Sequence, residues 1–76
     1  MKAILEFNLP EDNVEYELAN NAYKMHLALC EMDNWLRAQY KYMPDEEYNE
    51  VAYNTYEKCR DQLHEFMNER NIDLDL

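Results

Sequence analysis

The chain contains no glycine in 76 residues. Glycine is the residue that takes positive φ freely and lets the backbone come close to a ligand. A glycine-free chain therefore has no P-loop, no dinucleotide-binding fingerprint and no nucleophile elbow. Breaks between elements fall to proline and asparagine, at Pro10, Asn20-Asn21 and Pro44.

Between those breaks the pattern is mainly helical. Lys2 to Phe7 alternates, with Ala3, Leu5 and Phe7 on one face, and predicts a short strand over 2–7. Pro10 suits the first turn of a helix over 10–20, with Asp12 and Glu15 spaced as a capping box. Val14 and Leu18 form its apolar stripe. A second helix spans 22–42, where Met25, Leu29, Met32, Leu36, Tyr40 and Met43 recur at helical spacing and Trp35 widens the stripe. Pro44 ends that helix and opens a third over 44–70, carrying Tyr48, Ala52, Tyr56, Cys59, Leu63 and Phe66. The short link at Pro44 makes the last two helices a long antiparallel hairpin. The tail, 71–76, alternates from Ile72 to Leu76 and is expected to dock or pair weakly. The expected fold is mainly α, a single domain over 1–76 with one short N-terminal strand and three helices.

The formal net charge is −10. Nucleic-acid binding needs a basic footprint, so direct binding to DNA or RNA is not expected, nor is attraction to an anionic membrane. Hydrophobic residues still make up 47%, seven of them Tyr, so there is material for a core. A chain this short is marginal as a lone monomer, and a homo-oligomer, most simply a dimer, is expected. Met1 to Leu5 opens like a signal peptide, but Glu6 interrupts it. The apolar run Leu27–Cys30 is far short of the ~20 residues a membrane span needs. These features predict a cytoplasmic protein. Cys30 and Cys59 form no CxxC pair and read as reduced core residues, although a bridge between facing helices is geometrically conceivable.

No catalytic residue, cofactor or metal is assigned. Asp61 and His64 form a DxxH pair with Glu57 one turn earlier, and His26, Glu31 and Asp33 lie on the facing helix. A His26–His64 metal site is conceivable, but solvated histidines on a charged surface are the simpler reading. Arg37, Lys41 and Arg60 could hold an anionic ligand such as a nucleotide. Ion pairs with neighbours are the plainer assignment, Asp33–Arg37 having i,i+4 spacing. The acids concentrate in two blocks, Glu6 to Glu17 and Asp45 to Glu50. Such rows can imitate a phosphate backbone or simply keep a face solvated. Tyr42 and Tyr53 fall off the core stripe, and exposed aromatics beside acids suit a protein contact. The candidate partner-binding residues are Glu11, Asp12, Glu15, Asp45, Glu46, Glu47, Glu50, Tyr42 and Tyr53.

The opening Met1-Lys2-Ala3-Ile4-Leu5-Glu6-Phe7-Asn8-Leu9-Pro10-Glu11-Asp12, followed by Glu15-Tyr16-Glu17-Leu18-Ala19 and Trp35-Leu36-Arg37, resembles a group of small acidic bacteriophage-encoded proteins that open on MKxxLEFxLPED. The resemblance covers about half the chain well and departs at Asn20-Asn21, where the group often has a glycine. It implies an accessory protein acting in a bacterial cytoplasm, of a kind that binds and inhibits or redirects host factors, defence proteins among them. DNA mimicry is the sharpest form of that expectation. A sponge for a small nucleotide signal held between subunits, and a purely structural or regulatory homo-oligomer, are the alternatives.

Overall fold

The computed structural model describes residues 1–75, and its helices form a hairpin. Helix α1 runs Asn13–Lys41, a 3-10 turn spans Asp45–Glu47, and helix α2 runs Glu50–Glu69. The mainly α expectation holds. The count of three helices does not, because α1 continues straight through Asn20-Asn21. Two asparagines cost a helix about 1 kcal/mol relative to alanine, less than ending one helix and nucleating another. Asn21 also fits in place, its Nδ2 donating to the Glu17 carbonyl 2.8 Å away, one turn back.

The N-terminal strand is likewise corrected: among the described residues there is no strand. A strand needs a ladder partner, and the tail that might supply one bends back onto α1 instead. The Cys30 thiol donates to the Leu74 carbonyl at 3.7 Å, so the tail docks rather than pairs. Leu76 lies outside the described residues. Phe7 holds the near end of the N-terminal segment, meeting the Tyr16 ring edge-on with centroids 5.7 Å apart.

Pro10 does not open α1 but lies in the turn before it. There Asp12 N donates to the Asn8 carbonyl at 2.8 Å, and the Asp12 carboxylate accepts from Asn8 N at 2.9 Å. Asp12 occupies the N-cap position, but its carboxylate is engaged backwards, so the Asp12/Glu15 capping box does not form. Pro44 does not open α2 either. It is extended at ψ 144°, and Asn49 caps the helix, its Oδ1 accepting from Ala52 N at 3.0 Å. At the far end the chain takes a left-handed step without glycine. Asn71 adopts φ 55°, Ile72 N donates to the Met67 carbonyl at 2.9 Å, and Asn71 N to the Asn68 carbonyl at 3.2 Å. That is the Schellman pattern, with asparagine in the position glycine usually holds.

At 1.5 Å per residue α1 is ~43 Å long and α2 ~30 Å, so the first turns of α1 overhang the pair. The molecule is a rod of 57 × 28 × 19 Å. Among the described residues only Leu36, Tyr40 and Met67 are buried. All three sit where the two stripes meet. The stripes are wider than the line along which two helices can touch, so Met25, Met32, Trp35 and Phe66 stay about half exposed. Cys59, expected in the core, is exposed for the same reason, and both thiols are free.

Candidate functional site

Two regions concentrate chemistry: a polar cluster between the helices and the tip where they join.

The cluster is built on Asp33, two turns before Tyr40 on α1. Its carboxylate accepts from Arg60 Nε at 2.9 Å, from Arg60 Nη2 at 3.4 Å and from His64 Nε2. Arg60 Nη1 donates to the Tyr40 hydroxyl at 3.0 Å, which gives this buried ring a partner for its polar end. Arg60 and His64 are one turn apart on α2, so both reach across to the same residue. The Arg60 guanidinium beside it holds the Asp33 carboxyl below its ordinary 3.8, partial burial opposes this, and the His64 bond reinforces it. The same carboxylate, with Tyr40, raises Arg60 further above its already high value.

This arrangement replaces two readings of the sequence. Asp33 has i,i+4 spacing to Arg37, yet it pairs across the hairpin with Arg60. His64 is one turn from Asp61 on α2, yet it bonds Asp33 on α1. The reason is burial: Asp33 faces α2 with its side chain only 14% exposed, and Arg60 and His64 are the donors opposite. His26 lies 3.7 Å from the Cys30 sulfur, while His64 bonds Asp33. Among the described residues no three His, Cys, Asp or Glu side chains converge as a metal site would require.

A shallow groove of about 500 Å³ runs along this side, bordered by Asp33, Arg60 and His64 and by Asp73 and Asp75 of the docked tail. Its one guanidinium is already bonded to Asp33 and Tyr40, and the remaining charge along it is largely negative. Arg37 and Lys41 are exposed on α1.

The tip carries the second concentration. Asp45, Glu46 and Glu47 form the 3-10 turn, Glu50 begins α2, and all four are exposed. Tyr42 and Tyr48 stand beside them, 71% and 58% exposed. Tyr53 lies beneath, half-buried, its ring edge-on to Tyr40 at 5.4 Å and tilted against Tyr48 at 6.0 Å. It supports the tip rather than projecting from it. Glu11 and Glu15 are exposed at the opposite end of α1, and Asp12 there is half-buried. The two acidic blocks are thus separated by the length of α1. The sequence singles out the tip acids and Tyr42, but Tyr48, read as core, belongs with them.

No protein-family model matches the chain, no curated protein does, and no solved structure does. Among the described residues no helix is long and apolar enough to cross a membrane.

Proposed function

We propose that this chain is a non-enzymatic accessory protein of the bacteriophage type, which binds a bacterial host protein and inhibits or redirects it. The observation that carries the reading is the tip. Four exposed carboxylates and two exposed tyrosines crowd one end of a rod, on a turn stiffened by Pro44. Tyrosine gives a large contact area at small entropic cost, and surrounding acids steer the encounter and set the partner's sign. The preferred partner is a protein with a basic patch around an apolar pocket.

Full DNA mimicry draws less support from the charge geometry. Ten net negative charges over a 57 Å axis amount to one per about 6 Å. Duplex DNA carries one per ~1.7 Å. The tip is locally denser, so the acids act as a patch rather than as a continuous backbone. A nucleotide sponge draws less support still, because Arg60 is bonded to Asp33 and Tyr40 and the groove beside it is largely acidic.

The test is capture from bacterial lysate by the wild-type chain and by a tip variant combining Tyr42→Ala, Tyr48→Ala and Glu46→Gln, each washed at low and at high salt. The expected result is one host protein held by the wild type, released by high salt and missing from the variant. Equal retention by both chains, or binding indifferent to salt, refutes the proposal.

A further inference from the structure

The hairpin has two unlike sides. One carries the Asp33–Arg60–His64 cluster and is partly covered by the tail. The other is apolar. Leu29, Leu63, Phe66 and Ile72 border a shallow groove of about 300 Å³, and Met25, Met32 and Trp35 continue that side along α1. Trp35 is 52% exposed even though its ring meets Tyr56 edge-on at 5.9 Å. On the overhang Val14 and Leu18 extend the stripe, 65% and 53% exposed. Two charged residues border this side, Glu31 beside Met32 and Trp35, and Arg70, whose guanidinium lies over the Phe66 ring 5.9 Å from its centroid.

We propose that this apolar side is covered by a second copy of the same chain, giving a dimer in which two hairpins form a four-helix assembly. The argument is one of area. A compact monomer of 9.3 kDa exposes about 5,000 Å² of accessible surface. This chain exposes 6833 Å². The excess is about 1,800 Å², whereas a standard stable interface needs only ~800 Å² from each partner. The rod shape and the exposed N-terminal segment contribute to that excess together with the apolar side. The chemistry of the side favours self over stranger. A chain of net charge −10 meets a copy of itself at least cost where carboxylates are few, and on this side Glu31 is the one acid bordering the two grooves, at Phe66 and at Trp35, with Arg70 to offset it. Two-fold contact also puts the same stripe on both sides, so methionine and aromatic side chains meet others of their kind.

Trp35 is the only tryptophan, so its fluorescence reports on this side alone. The test is sedimentation equilibrium of the wild-type chain together with acrylamide quenching of Trp35 over the same concentration series. Expected is a mass of twice 9.3 kDa, with Trp35 becoming shielded over the same concentrations at which the mass doubles. Added salt should leave the dimer as tight or tighter, because it screens the repulsion between copies. That is the opposite of its effect on tip binding, so the two proposals fail separately. A mass of 9.3 kDa at about 100 µM overturns the inference. So does a doubled mass with Trp35 as open to quencher as in the dilute chain, because another surface then forms the dimer.

Discussion

Replacing Asp33 with alanine tests whether the cluster holds the hairpin together. The carboxylate accepts two bonds from Arg60 and one from His64, and the side chains of Asp33 and Arg60 are 14% and 23% exposed. Exposed ion pairs contribute roughly 0.2–1 kcal/mol, while breaking a fully buried one costs about 3–5 kcal/mol. This pair lies between those limits, so Asp33→Ala should cost about 2 kcal/mol, part of it from leaving the guanidinium with Tyr40 alone. Total stability for 76 residues is of order 4–11 kcal/mol, so the loss is a large share. The melting temperature should fall by roughly 10 °C. The assay is urea unfolding followed by far-UV circular dichroism, at one protein concentration for every variant so that self-association contributes equally. The double-mutant cycle with Arg60→Ala should return a coupling of about 1 kcal/mol or more. A loss below about 0.5 kcal/mol, or strictly additive single changes, would refute the reasoning.

Three further outcomes are expected. Because its carboxyl titrates lower in the folded chain than in the unfolded one, Asp33 binds its proton less readily when folded, so its contribution is complete above the ordinary carboxyl value of 3.8 and disappears as pH falls through the lowered one. Acid titrations of wild type and Asp33→Asn should therefore converge below that window, and parallel curves would contradict the assignment. Asn49→Ala removes the α2 cap and should cost about 1 kcal/mol in the same urea assay, with no change implying that the cap bond is absent in solution. Asn20→Ala should stabilise by about 0.5 kcal/mol, since an exposed position inside a continuous helix rewards alanine; a loss would restore the break expected from the sequence.

The hairpin itself is legible in periodicity. Leu36 and Tyr40 lie on the stripe that predicts the second helix, and the Pro44 link implies the antiparallel return. The junction at Asn20-Asn21 misleads because a composition signal is weak evidence for a break when neither glycine nor proline stands there. The strand over 2–7 misleads for a different reason: alternation states which face would be buried but not whether a partner edge exists. The cluster depends on pairing across 27 and 31 positions, which no local spacing encodes. Asp33, Arg60 and His64 each stand out as polar residues near an apolar stripe. Within the sequence, however, their helical neighbours Arg37 and Asp61 compete for them, and only the packing of α1 on α2 decides. Tyr48 is misread because its spacing from Ala52 fits a helix that begins two residues after it.

The two unlike sides of the hairpin also divide its vulnerability to mutation. Greasy contacts tolerate sliding: a helix displaced by one turn, ~5.4 Å, can still find apolar neighbours. The Asp33–Arg60–Tyr40 chain of bonds cannot survive that slip, so the polar side holds α1 and α2 in one alignment. The apolar side is thereby released from specifying the fold. Its residues can drift among Met, Leu and Phe while the hairpin keeps its register, so a lineage carrying this chain can remodel what it associates with without first re-solving how it folds.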